Sequence, residues 1–175
     1  IYIHLPGGYA QNQDKKYPIV YVLDGQWDFK LLASIYGGLY FDEFIPEMII
    51  AGITYSGTSP DYDALRAMDY TPATEVEIPG CGGAARFLAF LKEELSPFLE
   101  SNYRVDTSQR VLLGSSFGGT FTLRVYSAIS DQGEAGALAP WPAPMGGWLE
   151  GIAGLAGAAA WPNEARGRQS RAAAR

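Results

Sequence analysis

The 175-residue chain holds one cysteine, Cys81, and one histidine, His4. A single thiol cannot close a disulfide within the chain, and one cysteine with one histidine cannot assemble a structural zinc site, so no metal is expected. The opening segment IYIHLPGGYA lacks a basic n-region and a long apolar run. It reads as a strand inside a domain and not as a signal peptide, which leaves the compartment open. Positive charge is also short, with 13 Lys and Arg against 19 Asp and Glu and a formal net charge of -6. That balance argues against nucleic acid or an anionic membrane as a partner, because like charges repel at long range.

A second absence divides the chain near Ser127. Residues 127–175 contain no Phe, Tyr, Val, Lys or His, while 14 Ala, 8 Gly and 4 Pro make up more than half of the segment. So few bulky side chains offer little to bury, and 127–175 is expected to be an atypical, poorly ordered tail behind a domain of residues 1–126. Within it GGWLEGIAGLAGAAAW is too short, too rich in Ala and Gly and interrupted by Glu150, so it is not expected to cross a membrane. Arg166, Arg168, Arg171 and Arg175 lack interleaved aromatics and read as a basic tail, not a nucleic-acid arm.

Residues 1–126 are organised differently. IYIHL alternates as a strand does, YPIVYVLDG and MIIAGITY are apolar β-rich runs closed by turn residues, and RVLLGSS supplies a fourth strand. The spacing of Phe87, Leu88, Leu91, Leu95, Phe98 and Leu99 predicts one apolar face of a helix, kinked or divided at Pro97. A further helix is predicted over FGGTFTLRVYSAI. Apolar strands alternating with helices point to an α/β sheet covered on both faces.

The strand VLLG runs into Gly114-Ser115-Ser116-Phe117-Gly118, followed by Gly119 and a helix-competent stretch. This is the layout of a nucleophile elbow, with Ser116 at the apex of a sharp strand-to-helix turn. Small flanking residues admit the strained backbone and a close-approaching carbonyl. A serine hydroxyl is a poor nucleophile at neutral pH and needs a base, itself oriented by a carboxylate.

YPIVYVLDG, then DYTP at Asp69 to Pro72, FLAFLKEELSPFLESNYRV and RVLLGSSFGG occur in that order. Together they resemble the putative esterase family of α/β-hydrolases, which includes enterochelin-type siderophore esterases, S-formylglutathione hydrolases, feruloyl esterases and mycolyl transferases. The resemblance covers about residues 1 to 126. It implies a mostly parallel α/β-hydrolase-type sheet with helices on both faces, here truncated after the elbow helix. It also implies Ser116 as nucleophile, the backbone amides of Gln26 and Phe117 as oxyanion donors, and Gly114 and Gly118 as elbow glycines. The partner implied is a small-molecule ester or thioester, and no cofactor is needed beyond side chains and water. Many relatives carry His where this chain has Ser115.

In α/β-hydrolases the acid and then the histidine follow the serine. After Ser116 this chain has no histidine, and its only carboxylates are Asp131, Glu134, Glu150 and Glu164, expected to be solvated loop charges. His4 lies upstream, in the first strand, and is expected to pack rather than to act as base. The chain is therefore expected to be a nearly inert esterase, truncated or frameshifted after codon 126. Alternatives are a non-catalytic binding module on the same scaffold, or an acyltransferase. A sheet short of its last strands is expected to leave an edge open to self-association. Of the other polar groups, Asp24 is expected to hold its turn by bonds to backbone amides, Arg66 to pair with Asp69 within a loop, and Cys81 to be an inert thiol.

Overall fold

Every side chain of strand β2, Tyr17–Val22, is buried, and the rest of the domain is arranged around it. The computed structural model describes residues 1–71, 80–132 and 157–158. Its sheet runs in the order β1-β3-β2-β4-β5, with β1 Tyr2–His4, β3 Ile49–Gly52, β4 Val105–Gly114 and β5 Gly157–Ala158. β2 is parallel to both β3 and β4, and the two edge strands are antiparallel to their neighbours. Beyond β4, where an open edge was expected, β5 pairs with Leu113 and Gly114. Pro18 sits in the central strand at the point where the β2/β4 register shifts between Tyr17 and Ile19. A bulge is where a residue without an N–H is tolerated inside a sheet.

Five helical segments complete the described fold: α1 Gly25–Phe41, α2 Tyr62–Tyr70, α3 Ala84–Phe90, α4 Ser96–Asn102 and α5 Phe117–Gln132. On one side of the sheet Tyr17, Ile19, Tyr21, Leu23, Ile49 and Ala51 meet side chains of α2 to α5. On the other, Val20, Val22 and Ile50 meet Tyr36, Phe29 and Leu32 of α1. The described chain is thus a mixed α/β protein with helices on both faces of the sheet, as expected. The tail reading falls almost entirely outside the described residues, as do the span from Gly146 to Trp161 and Glu134, Glu150 and Glu164.

The helix predicted around Pro97 differs in one respect. A π-helical turn, Leu91–Leu95, joins α3 to α4, and the Ser96 amide donates to the Leu91 carbonyl five residues back. The wider turn accommodates Pro97, which has no N–H and whose ring would otherwise clash with the carbonyl four residues earlier. One inserted residue also rotates the following face. Leu99 is 0% exposed and Phe98 is 56% exposed, so Phe98 leaves the apolar face that regular periodicity assigned to it.

Candidate active site

The site is built at the C-terminal ends of the two parallel strands β2 and β4. β4 ends at Gly114, Ser115 follows, and Ser116 takes a positive φ of 53° before α5 begins at Phe117. A left-handed conformation at a non-glycine residue costs about 1–3 kcal/mol and persists where the surroundings enforce it. Here the Thr120 amide donates to the Ser116 carbonyl at 3.0 Å, closing the first turn of α5. Two glycines make the bend feasible. A Cβ on Gly114 would lie 2.5 Å from the Gly118 carbonyl, and one on Gly118 would lie 3.2 Å from Asp24 Oδ2 and 3.4 Å from Leu23 Cβ. The Ser116 residue itself is exposed.

β2 ends in a second bend of the same hand, at Asp24, with φ 55° and ψ 38°. The Gly25 amide donates to the Ile53 carbonyl at 2.7 Å, and the Trp27 and Asp28 amides donate to the Asp24 carbonyl. Those bonds skip the Gln26 amide, which has no acceptor among the described residues, as does the Phe117 amide at the start of α5. Unpaired amides at helix N-termini carry partial positive charge and suit a developing anion. Ser115 Oγ donates to Asp28 Oδ2 at 3.1 Å, tying the elbow to the first turn of α1.

Since its side chain makes no capping bond at the start of α1, the Asp24 carboxylate does not hold its turn by bonds to backbone amides, the role expected from its sequence context. Arg66 of α2 grips it with a fork, Nε to Oδ1 at 2.6 Å and a terminal nitrogen to Oδ2 at 3.0 Å. The Asp24 amide also donates to Tyr70 Oη at 3.3 Å. This corrects the expected Arg66–Asp69 pair, since Asp69 instead lies 3.9 Å from Arg86. The side chains are 1% exposed for Asp24 and 11% for Arg66. Burial pushes the Asp24 carboxyl above its ordinary value, while the Arg66 fork pulls it back. The same guanidinium lies over the rings of Trp27, at 5.2 Å, and Phe117, at 5.8 Å. Tyr62 meets Trp27 edge-on at 5.4 Å, completing an aromatic rim beside the elbow.

Ser116, Phe117, Gly114, Gly118 and Gln26 are thereby gathered around the Asp24 bend. His4 is not among them. It lies on the edge strand β1, edge-on to Tyr36 at 5.2 Å, with β3 and β2 between it and β4. Three strand steps of about 4.8 Å put β1 roughly 14 Å from β4. Cys81 is buried. Among the described residues no cluster of His, Cys, Asp and Glu could hold a metal ion. Arg66 and Trp27 join the site beyond the residues that the motifs assign to it. The one local signal was an arginine three residues before Asp69-Tyr70-Thr71-Pro72, and its partner lies 42 residues away.

Comparison with known proteins bears on the same residues. The family model described as putative esterase matches residues 1–173, beyond the residues 1 to 126 whose motifs carry the resemblance. Ferri-bacillibactin esterase BesA of Bacillus subtilis is 30% identical over 122 residues, 62% of this chain and 42% of the relative. An apo-salmochelin esterase of Escherichia coli is 32% identical over 121 residues, 61% of this chain and 36% of the relative. An IroE-like serine hydrolase from Shewanella oneidensis superposes with a TM-score of 0.63 at 34% identity, covering 79% of this chain and 42% of the other. The chain spans about two fifths of the length of these curated relatives.

Proposed function

The chain belongs to the putative esterase family, and on that premise we propose that it is a serine carboxylic-ester hydrolase fold with Ser116 as nucleophile and small-molecule siderophore esters as its substrate class. The observation that carries this reading is an exposed serine at φ 53° at the start of α5, together with two helix N-terminal amides, those of Gln26 and Phe117, that have no acceptor among the described residues. The substrate class is supported by the names of the relatives, which are esterases of ferri-bacillibactin and apo-salmochelin.

In the proposed reaction Ser116 Oγ attacks the ester carbonyl carbon. As that bond forms, the carbonyl electron pair moves onto oxygen, where the Gln26 and Phe117 amides donate to it. Collapse of the adduct breaks the bond to the alcohol, which leaves with a proton, and water then releases the acid from Ser116. The Ser116 proton needs an acceptor, and no histidine follows Ser116 in this sequence. Loss of the base from a serine triad costs about 10⁶ in turnover and leaves ~10³ to 10⁴ over water from the oxyanion donors and binding.

Supplying a base from solution tests the assignment. Incubation with p-nitrophenyl acetate should place one acetyl group on Ser116 slowly, and added imidazole should raise the rate in proportion to its concentration, as read by peptide mass spectrometry. Ser116→Ala should abolish the labelled peptide. No acetyl group on Ser116 at any imidazole concentration would refute the nucleophile and leave the cleft as a binding site.

A further inference from the structure

We propose that Arg66 is a positioning residue that locks the Asp24 bend to the Phe117 turn, so that the Gln26 and Phe117 amides face one carbonyl oxygen. The inference rests on the serine-hydrolase reading and deepens it. Arg66 belongs to α2, which supplies neither amide. Its guanidinium nevertheless meets the residues around both: Asp24 and Trp27 on either side of Gln26, and the ring of Phe117 itself.

The geometry of the fork matters. Asp24 is left-handed, almost wholly buried and bonded by Arg66 at both carboxylate oxygens, so the planar donor fixes its orientation. The competing carboxylate, Asp63, is only grazed at 4.0 Å and is 96% exposed. On the elbow side, Asp24 Oδ2 abuts Gly118, so a shift of that carboxylate would be felt in the first turn of α5. A lysine at position 66 would keep the charge but supply a point donor in place of the fork and lose the flat face that lies over two rings.

The test compares wild type, Arg66→Lys and Arg66→Met by two readouts. The first is amide exchange at Gly25 and Thr120, whose bonds to the Ile53 and Ser116 carbonyls close the two bends. In Arg66→Lys, exchange at both amides should quicken while protection of Leu95 and Leu99 holds. The second is imidazole-dependent acetylation of Ser116. Its maximal rate should fall about ten- to a hundredfold in Arg66→Lys and further in Arg66→Met, with the half-saturating ester concentration unchanged.

Wild-type exchange at Gly25 and Thr120 in both variants would overturn the proposal. So would an unchanged maximal rate, or a rise in half-saturating ester alone, which would make Arg66 a contact for the ester. If Ser116 takes no acetyl group even in wild type, the nucleophile reading falls, and the exchange data alone then decide the role of Arg66.

Discussion

Asp24 and Ser116 bend alike: each is a non-glycine residue with a positive φ, 55° and 53°, and each lies just past the end of one of two neighbouring parallel strands. The bends start two helices, α1 and α5, in whose first turns the Gln26 and Phe117 amides are left without acceptors among the described residues. The proposed chemistry at this end of the sheet therefore depends on holding two strained residues at once.

The elbow glycines should respond unequally to a methyl group. In Gly114→Ala the new carbon meets the backbone of Gly118 at 2.5 Å, so the elbow must move, with a loss of about 1–3 kcal/mol in urea unfolding and no Ser116 acetylation. In Gly118→Ala the contact is 3.2 Å to a carboxylate oxygen, and a smaller loss is expected. Equal effects would show that the two glycines do not cross as described.

The Asp24–Arg66 pair sets a pH signature. Burial raises the Asp24 carboxyl above its ordinary 3.8, so the folded chain holds that proton more tightly than the unfolded chain does. The stability contributed by such a group falls as pH rises from the unfolded value through the raised folded one. Arg66→Met removes the opposing cation and raises the carboxyl further. The variant should be destabilised by about 3–5 kcal/mol near neutrality, and by progressively less as pH falls toward 4. A loss that is flat between pH 5 and 8 would contradict a buried, charged Asp24.

Neighbouring residues of α4 test the π-helical turn. Leu99→Ala should cost about 2–5 kcal/mol, because its side chain is fully enclosed. Phe98→Ala should stay within about 0.5 kcal/mol, since the ring faces outward. An uninterrupted α-helix would make the Phe98 substitution the costly one.

His4→Ala should leave the rate of imidazole-assisted Ser116 acetylation unchanged, because His4 sits on the far edge strand against Tyr36. A tenfold fall would place its ring in the site.

Local order in the sequence carried much of this picture. β2, β3 and the end of β4 are apolar runs closed by turn residues, and the Gly114 to Gly118 pentapeptide marks the elbow. α1 is not legible in the sequence, because its pattern is not that of a two-faced helix. Leu31, Ile35 and Phe41 point outward, Tyr36 inward, and Gly37-Gly38 interrupts it. Arg66 was assigned to Asp69, its neighbour in the chain, because a partner 42 residues upstream becomes visible only once the strands are paired. Phe98 was misplaced for a related reason, since a single five-residue turn shifts every later position and leaves no compositional trace.

The match of Val22 to Leu113 across β2 and β4 fixes how far apart the two bends emerge. The separation of the Gln26 and Phe117 amides is thereby inherited from the ladder of the sheet, so that a slip of one residue in that pairing would carry one bend past the other.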